Sequence, residues 1–263
     1  MPLLPRLCML RCKASGTVAA RKELKAIAGQ LPRPLEILIS PTRSVAENLA
    51  LDEELTRLAA VEHRSVLRLW WGDAPTVVMG RSEKPEQVVN LEACSRLGVP
   101  VLRRLTGGGT VLQTAGVLNY SLTGPAAGLP DVRAVFSLGA RLLVGALARM
   151  GLQAEACGIS DVAIGRRKIS GNAMAKRWGG LLLHGTLLYD LELDLVEACL
   201  RHPPREPDYR GRRSHKEFMT TLVAQGVAAT PRDVEDAMVA SARELAAVGL
   251  LDLFPHPSLI SAG

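Results

Sequence analysis

Three short segments of the sequence contain residues whose types and spacing could carry chemistry. The first is RRLTGGGTVLQ, residues 103–113, which follows an apolar run typical of a β-strand. Glycine has no Cβ, so three glycines let backbone N–H groups approach an anion closely. Arg104 could add a paired hydrogen bond to a phosphate or carboxylate. The glycines would also suit a simple tight turn, since neither a P-loop GK[ST] nor GxGxxG spacing is present.

The second segment is SDVAIGRRKISGNA, residues 160–173. Lys168 follows a glycine turn at Gly165, and the small residues after it leave room for a ligand. A lysine there supplies a compact positive charge for a carboxylate, a phosphate or a developing oxyanion. On its own, the run of three cations at 166–168 is equally consistent with a solvated hairpin turn.

The third segment is LLLHGTLLYDL, residues 181–191. A single histidine in an apolar strand is more often a hydrogen-bonded structural residue than a catalyst. His184 taken alone therefore indicates a structural role. Only the presence of the other two segments in the same sequence suggests that it belongs to a functional site.

These segments need strands to position them, and the hydrophobic pattern supplies such strands. Apolar runs bounded by Gly, Pro and Asp indicate strands. The predicted strands cover 35–40, 65–71, 76–80, 99–105, 110–113, 118–122, 160–164, 168–178 and 181–191.

Helices are predicted between the strands. Ser44 with Glu47 forms a capping box that opens one helix, and a period of 3.6 predicts another over 131–150, with Gly151 just beyond it. Further helices are predicted over 194–200 and from Thr230 to Gly249. The pattern predicts an α/β fold (an α+β mixed sheet) with one domain over 35–250, a basic tail over 1–34 and a short C-terminal tail over 251–263.

The positive charge is concentrated at the N-terminus. Residues 1–34 carry seven basic residues and one acidic residue, which accounts for the whole formal charge of +6. The 25 basic and 25 acidic residues of 35–263 cancel, so the charge does not indicate a nucleic-acid partner. Three residues each of Trp, Tyr and Phe are too few for a platform that stacks single-stranded nucleic acid.

The cysteines and the apolar runs of the sequence indicate the cellular compartment of the protein. Five cysteines without CxxC spacing predict free thiols in a reducing compartment. No uninterrupted apolar run approaches the roughly 18 residues of a membrane helix. We expect a cytoplasmic protein without a membrane partner, or a mitochondrial matrix protein if residues 1–34 are a transit peptide.

In their order and spacing, the three segments and four others make the sequence resemble the lipoate-protein ligase and lipoyl/octanoyl transferase family. The resemblance runs from about Leu35 to Leu222 and implies a biotin/lipoate ligase-like catalytic domain. The matching segments are AENLALDEEL (46–55), VLRLWW (66–71), TVVMGRSE (76–83), RRLTGGGTV (103–111), GVLNYSL (116–122), GISDVAIGRRKISGNA (158–173) and LLLHGTLLYDL (181–191).

The resemblance implies a role for each matched residue. Lys168 would be the central catalytic group, touching both the α-phosphate and the acyl carboxylate. The residues implied for ATP binding are Arg104, Gly109, Thr110, Val111, Leu112, Asp161 and Lys168. The residues implied for lipoate binding are Gly107, Gly108, Lys168, Gly171, Asn172, Ala173, His184, Gly185 and Thr186.

The implied chemistry is ATP-dependent: lipoate is activated as lipoyl-AMP and transferred to a lysine of a lipoyl-domain acceptor protein. Mg²⁺ is expected to bridge the phosphates. After Thr230 we expect one helix and a short tail, which is too little for a separate accessory domain. A small accessory ligase subunit is therefore a possible partner. The segment HPPREPDYRGRRSHKEF, residues 202–218, resembles a loop of some such ligases and equally suits a charged surface loop.

Two other functions remain open from the sequence. An octanoyltransferase would take octanoate from acyl carrier protein without ATP, in some relatives through a cysteine nucleophile. Cys157 lies four residues before Asp161, and a small structural thiol is the simpler interpretation of it. A non-catalytic lipoyl- or adenylate-binding paralogue would not need both Arg104 and Lys168.

Overall fold

A computed structural model describes residues 35–247 except Gly128 and Pro130. The tails predicted over 1–34 and 251–263, and the last residues of the final predicted helix, lie outside the described residues. Ten strands are present in this part of the chain. Their bounds are β1 Glu36–Ile39, β2 Val66–Trp71, β3 Thr76–Met79, β4 Val101–Arg103, β5 Val111–Gln113, β6 Val117–Pro125, β7 Glu155–Cys157, β8 Asp161–Ile164, β9 Arg167–Arg177 and β10 Gly180–Leu188.

Seven strands form one mixed sheet in the order β1-β2-β6-β10-β9-β8-β7. The β1–β2 pair is parallel, and the other pairs, which include the long β9–β10 hairpin, are antiparallel. The hairpin turns at Trp178 and Gly179, which have positive φ angles of 52° and 78°. The predicted mixed sheet is confirmed, and its centre is the β6–β10–β9 region that contains His184 and Lys168.

Strands β3, β4 and β5 form a separate small sheet in the order β4-β3-β5. The strand β4 enters the glycine turn and β5 leaves it, and both flank β3. The turn at 104–110 is therefore held at both ends by one small sheet. The sequence predicted these strands but not that they separate from the large sheet.

The described helices pack against the sheets. Ser44 caps the first of them with the predicted capping box, and Asp131 caps the longest apolar one through its side chain. Their bounds are α1 Val45–Glu62, α2 Pro85–Val88, α3 Leu91–Leu97, α4 Val132–Arg149, α5 Leu193–Cys199, α6 His215–Phe218 and α7 Pro231–Ala247. None of these helices in the described part of the chain is both long and apolar enough to cross a membrane.

The core lies between α4 and the large sheet. Leu138, Leu142 and Ala146 of α4 are buried, as their helical spacing predicted, and face buried residues of the sheet such as Leu183. Burying one such leucine contributes about 1.5–3 kcal/mol. This packing fixes β6, β9 and β10, the strands whose opposite side chains line the site described below.

Several short elements were not predicted. Helix α3 is capped by Asn90, which accepts from the Ala93 N–H, and ends at Gly98 in a left-handed conformation. The 202–218 segment contains a 3₁₀ turn at Asp208–Arg210 and the helix α6, which a capping box of Ser214 and Glu217 opens. The capping box is a signal in the sequence that identifies α6. The segment is therefore folded and not a plain surface loop.

Candidate active site

The three predicted segments meet at one cavity of about 760 Å³. Gly107, one of the residues implied for lipoate binding, is not part of its lining. The other predicted site residues line it: Arg104, Gly108, Gly109, Thr110, Val111, Leu112, Asp161, Lys168, Gly171, Asn172, Ala173, His184, Gly185 and Thr186. The fold thus brings to one cavity residues that are up to 82 positions apart in the sequence, from Arg104 to Thr186.

Strand register in the large sheet explains why residues from four different strands line one wall of the cavity. Asn119 on β6 pairs with Thr186 on β10, which pairs with Gly171 on β9, which pairs with Asp161 on β8. Directly paired residues of adjacent strands point to the same face, and adjacent strands lie about 4.8 Å apart. One row across four strands therefore forms a floor that ends at Asp161.

The glycine turn is braced by its own arginine. The Arg104 guanidinium donates from Nη2 to the carbonyls of Gly107 and Gly109 at 2.6 and 2.8 Å. Its Nη1 donates to the Val78 carbonyl at 3.2 Å, and its Nε donates to the Thr106 hydroxyl at 2.9 Å. Only 8% of Arg104 is exposed, and burial lowers its pKa to about 10. In this structure Arg104 shapes the turn, and its contact with phosphate stays a prediction.

His184 is tied to the same turn. Its Nε2 lies 2.7 Å from the Thr106 hydroxyl oxygen. Although part of the ring faces the cavity, the ring sits deep in the protein, and burial, with a smaller effect of the Arg104 charge, lowers the pKa of His184 to about 3. The ring is therefore neutral at physiological pH. The structural interpretation of His184 is confirmed by its hydrogen bond within the fold. His184 also lines the cavity, and its contact with lipoate stays a prediction.

Lys168 lines the cavity from β9. Its Nζ lies 2.8 Å from Asp161 Oδ1, and a quarter of its side chain is exposed. A Cβ on Gly171 would lie 2.7 Å from this Nζ, so any larger residue there would displace the end of the lysine side chain. The lysine is thus not part of a solvated hairpin turn.

The backbone of Lys168 is also fixed from outside its strand. The Thr220 N–H donates to the Lys168 carbonyl at 2.9 Å, and Arg167 Nε donates to the Met219 carbonyl at 2.9 Å. Met219 and Thr220, which follow α6, therefore hold the first residues of β9 in place.

A second hydrogen-bonded chain supports the floor. The Tyr120 hydroxyl donates to Asn172 Oδ1 at 2.6 Å, and Asn172 Nδ2 donates to the Ser160 carbonyl at 2.7 Å. Any Cβ on Gly185 would overlap the Asn172 side chain and crowd the Tyr120 ring. The glycine of the HGT segment is required by this close packing.

Some residues of the cavity were missed from the sequence. Glu83 accepts from the Thr110 hydroxyl at 2.9 Å, and Tyr209 donates to Asp161 Oδ2 at 2.9 Å. The missed lining residues include Leu49, Trp70, Glu83, Gln113, Asn119, Tyr209 and Arg210. Four of them, Leu49, Trp70, Gln113 and Asn119, are apolar or amide side chains, whose types carry no signal of a site, and the last two lie in the segment that suited a surface loop.

Cys157 does not line the cavity. It pairs with Asp161 across the β7–β8 turn. Burial, then the nearby charges of Glu155 and Asp161, raise the pKa of the Cys157 thiol. A raised pKa disfavours the thiolate, which is the nucleophilic form.

The positions of the carboxylates determine which kinds of metal ion the site could hold. In the described part of the chain, no cluster of three or more His, Cys, Asp or Glu side chains could hold a metal ion. Mg²⁺ that bridges nucleotide phosphates needs only one or two protein carboxylates. Asp161 is a carboxylate of the cavity lining, and its contact with Mg²⁺ stays a prediction.

Comparison with known sequences places the chain beside lipoylation enzymes. Residues 44–243 match the family model described as the lipoyl protein ligase A/B catalytic domain. The Bacillus subtilis lipoate-protein ligase LplJ is 30% identical over 175 residues, which are 66% of this chain and 52% of LplJ. The chain therefore spans about half the length of the curated relatives it matches.

Solved structures show the same fold. A bipartite lipoate protein ligase from Thermoplasma acidophilum, described with its E2 lipoyl domain, has a TM-score of 0.71 and 27% identity, covering 82% of this chain and 85% of that chain. A lipoate-protein ligase A bound with ATP has a TM-score of 0.70 and 26% identity, covering 82% and 86%. The expected ligase-like catalytic fold is confirmed.

Proposed function

The chain belongs to the lipoyl protein ligase A/B catalytic domain family, and from that premise we propose that it is an ATP-dependent lipoate-protein ligase. The relatives named lipoate-protein ligase and the ATP-bound neighbour support this proposal. The single observation that carries it is the meeting of Lys168 and the braced glycine turn at one cavity of about 760 Å³.

The proposed reaction has two steps. A carboxylate oxygen of lipoate attacks the α-phosphorus of ATP, the bond to the β-phosphate oxygen breaks, and pyrophosphate leaves. The ε-amine of an acceptor lysine then attacks the carbonyl carbon of lipoyl-AMP, AMP leaves, and the amine loses a proton as the amide forms. Neither step needs a protein nucleophile, so the protein positions the reactants and stabilises charge.

Lys168 would stabilise the charge that develops on the α-phosphate and the acyl oxygen. Its present partner is one carboxylate oxygen at 2.8 Å, and an anionic substrate could take part of that contact. The backbone N–H groups of Gly109, Thr110 and Val111 would face the nucleotide from the braced turn, and the floor row would carry the lipoyl chain.

Mg²⁺ would enter with the nucleotide. Asp161 would hold it together with the phosphates, because carboxylate and phosphate oxygens are the donors that Mg²⁺ prefers. The ion would offset phosphate charge and so assist attack by the lipoate carboxylate.

The rival transferase mechanism is not favoured by this geometry. A thioester intermediate needs a nucleophilic cysteine that reaches the acyl carbon. Cys157 lies outside the cavity lining, and its thiol pKa is raised. A protein that only binds lipoate or an adenylate would not need both Lys168 and the braced glycine turn. Their presence together disfavours a non-catalytic paralogue.

The acceptor would be a lipoyl-domain protein, and a small accessory subunit would assist transfer. The similar Thermoplasma acidophilum protein is described as a bipartite ligase with an E2 lipoyl domain. Adding such a subunit to the chain should raise the rate of the second step while leaving adenylation unchanged.

Isotope exchange tests the proposed activity. The chain with ATP, Mg²⁺ and labelled pyrophosphate should return label to ATP only when lipoate is added. Exchange that does not depend on lipoate, or no exchange at all with lipoate or octanoate, would contradict the proposal.

A further inference from the structure

A tyrosine of the 202–218 segment completes the surroundings of Lys168. Asp161 has two carboxylate oxygens, and each one has its own partner. Lys168 Nζ lies 2.8 Å from Oδ1, and the Tyr209 hydroxyl donates to Oδ2 at 2.9 Å. Tyr209 also lines the cavity. The segment therefore reaches the lysine through one shared carboxylate.

Tyr209 is held in place independently of its hydroxyl group. Its ring packs against Phe218, with ring centroids 5.0 Å apart. Arg213 Nη2 donates to the Tyr209 carbonyl and to the Arg166 carbonyl, both at 2.8 Å. The backbone of Tyr209 is thus tied to the β8–β9 turn through Arg213, and its ring is held by Phe218 of α6, so removal of the hydroxyl alone should leave the ring where it is.

The hydroxyl can only act as a donor here. The carboxylate oxygen Oδ2 of Asp161 can only accept, so the Tyr209 hydroxyl donates its one proton to it. A carboxylate with one fixed donor on each oxygen cannot rotate freely about its Cβ–Cγ bond. Tyr209 and Lys168 thus hold the Asp161 carboxylate between them, one at each oxygen.

We propose that Tyr209 is a positioning residue for Lys168 and acts through Asp161. The inference rests on the proposed function only where it concerns rate. Without the hydroxyl, Oδ2 is released, the carboxylate turns, and Nζ loses its fixed place at the cavity wall. A group that stabilises a transition state must be held in place before the reaction, so its displacement lowers the rate of the chemical step.

The first test is kinetic. Tyr209→Phe keeps the ring and removes the hydrogen bond, and we expect kcat for adenylation to fall about 10-fold, since a misplaced group costs up to about 100-fold. The KM values for ATP and lipoate should stay within about 2-fold, because transition-state contacts affect kcat. The matched control is Tyr189→Phe. Tyr189 also donates one hydroxyl hydrogen bond, to the Ala229 carbonyl at 3.0 Å, but lies outside the cavity lining.

A double-mutant cycle with Asp161→Asn separates positioning from general support. If Tyr209 acts through Asp161, adding Tyr209→Phe to the Asp161→Asn variant should change kcat by less than about 2-fold, since residues in one network are not additive. Fully multiplicative effects, or a Tyr209→Phe enzyme as fast as the Tyr189→Phe control, would overturn the inference.

The second test does not depend on activity. Lysine acetylation by N-hydroxysulfosuccinimide acetate is followed by mass spectrometry, with the exposed Lys176 as internal reference. Release of Asp161 frees Lys168, so Tyr209→Phe should raise the Lys168 rate relative to Lys176 by about 3-fold, which corresponds to a small loss of pairing energy. An unchanged ratio contradicts the inference even if the wild-type protein proves inactive in adenylation, an outcome that would reject only the proposed function.

Discussion

The two walls of the cavity hold their cations in opposite ways. On the glycine-turn wall, Arg104 donates four hydrogen bonds to groups of its own neighbourhood, three of them backbone carbonyls. On the wall formed by β9, Lys168 is paired with a single side chain, Asp161. An arginine whose hydrogen bonds all go to groups of the fold gives a binding surface its shape. A lysine with a single carboxylate partner can exchange that partner for an anionic substrate. The number of fixed partners, and not the residue type, distinguishes the two roles.

The largest effect should follow from removing the exchangeable cation. Lys168→Ala should lower the rate of pyrophosphate release by about 10²–10³, the typical cost of losing one charge-stabilising donor. The melting temperature should change little, because part of the Lys168 side chain is already exposed and its one partner, Asp161, keeps the Tyr209 bond. Release measured beside a Lys176→Ala control checks this, and a Lys168→Ala enzyme as fast as the control would remove Lys168 from the mechanism.

Removing Arg104 should have the reverse effect, with a large loss of thermal stability. Arg104→Ala leaves buried carbonyls without donors, at about 1–3 kcal/mol for each unpaired group. For a domain of this size we expect the melting temperature to fall by roughly 5 °C or more, together with a higher KM for ATP. Arg104→Lys should not rescue the protein, since lysine lacks the planar fork.

Calorimetry and ATP titration of both arginine variants measure this effect. If Arg104→Ala keeps the wild-type melting temperature and loses only phosphate affinity, the guanidinium binds substrate directly and the contrast between the walls fails.

The glycine-turn wall should also show a pH dependence. His184 is neutral in the folded protein, with a pKa of about 3, whereas the unfolded chain binds a proton below about pH 6.5. The unfolded state thus binds more protons between these values, and stability falls as the pH drops from 6.5 toward 3. His184→Gln removes this proton uptake and can keep a hydrogen bond to Thr106.

Melting temperatures at pH 7 and pH 5 test the sign. The wild-type protein should lose more stability between these values than His184→Gln does, while His202→Gln, at an exposed histidine, should behave like the wild type. Equal losses in all three proteins would show that His184 is charged in the fold.

The smallest effect concerns the thiol beside the lysine wall. Cys157→Ser changes side-chain volume little, and the proposed reaction uses no thiolate, so adenylation and transfer should stay within a few-fold of the wild type. Mass spectrometry after incubation with octanoyl carrier protein should find no thioester at Cys157. An inactive but folded serine variant, or a trapped thioester, would instead support the transferase mechanism.

The sequence predicted the long helices and every described strand except the three-residue β7, because each of these elements carries its own signal. The capping box at Ser44, the apolar period of α4 and the runs that became β9 and β10 are local patterns that tertiary contacts reinforced. The small β3–β4–β5 sheet could not be predicted, since strand pairing depends on contacts between distant residues. Tyr209 was missed for the same reason, because its role depends on Asp161, 48 residues earlier.

The central claim is that the cavity activates lipoate with ATP and passes it to a protein lysine. The most direct measurement is the mass of a purified lipoyl domain after incubation with the chain under two conditions. One contains lipoate and Mg-ATP, with and without a small ligase subunit, and the other contains octanoyl carrier protein without ATP. We expect a lipoyl adduct on one acceptor lysine in the first condition and an unmodified acceptor in the second. An octanoyl adduct without ATP, and none with lipoate and ATP, would contradict the account.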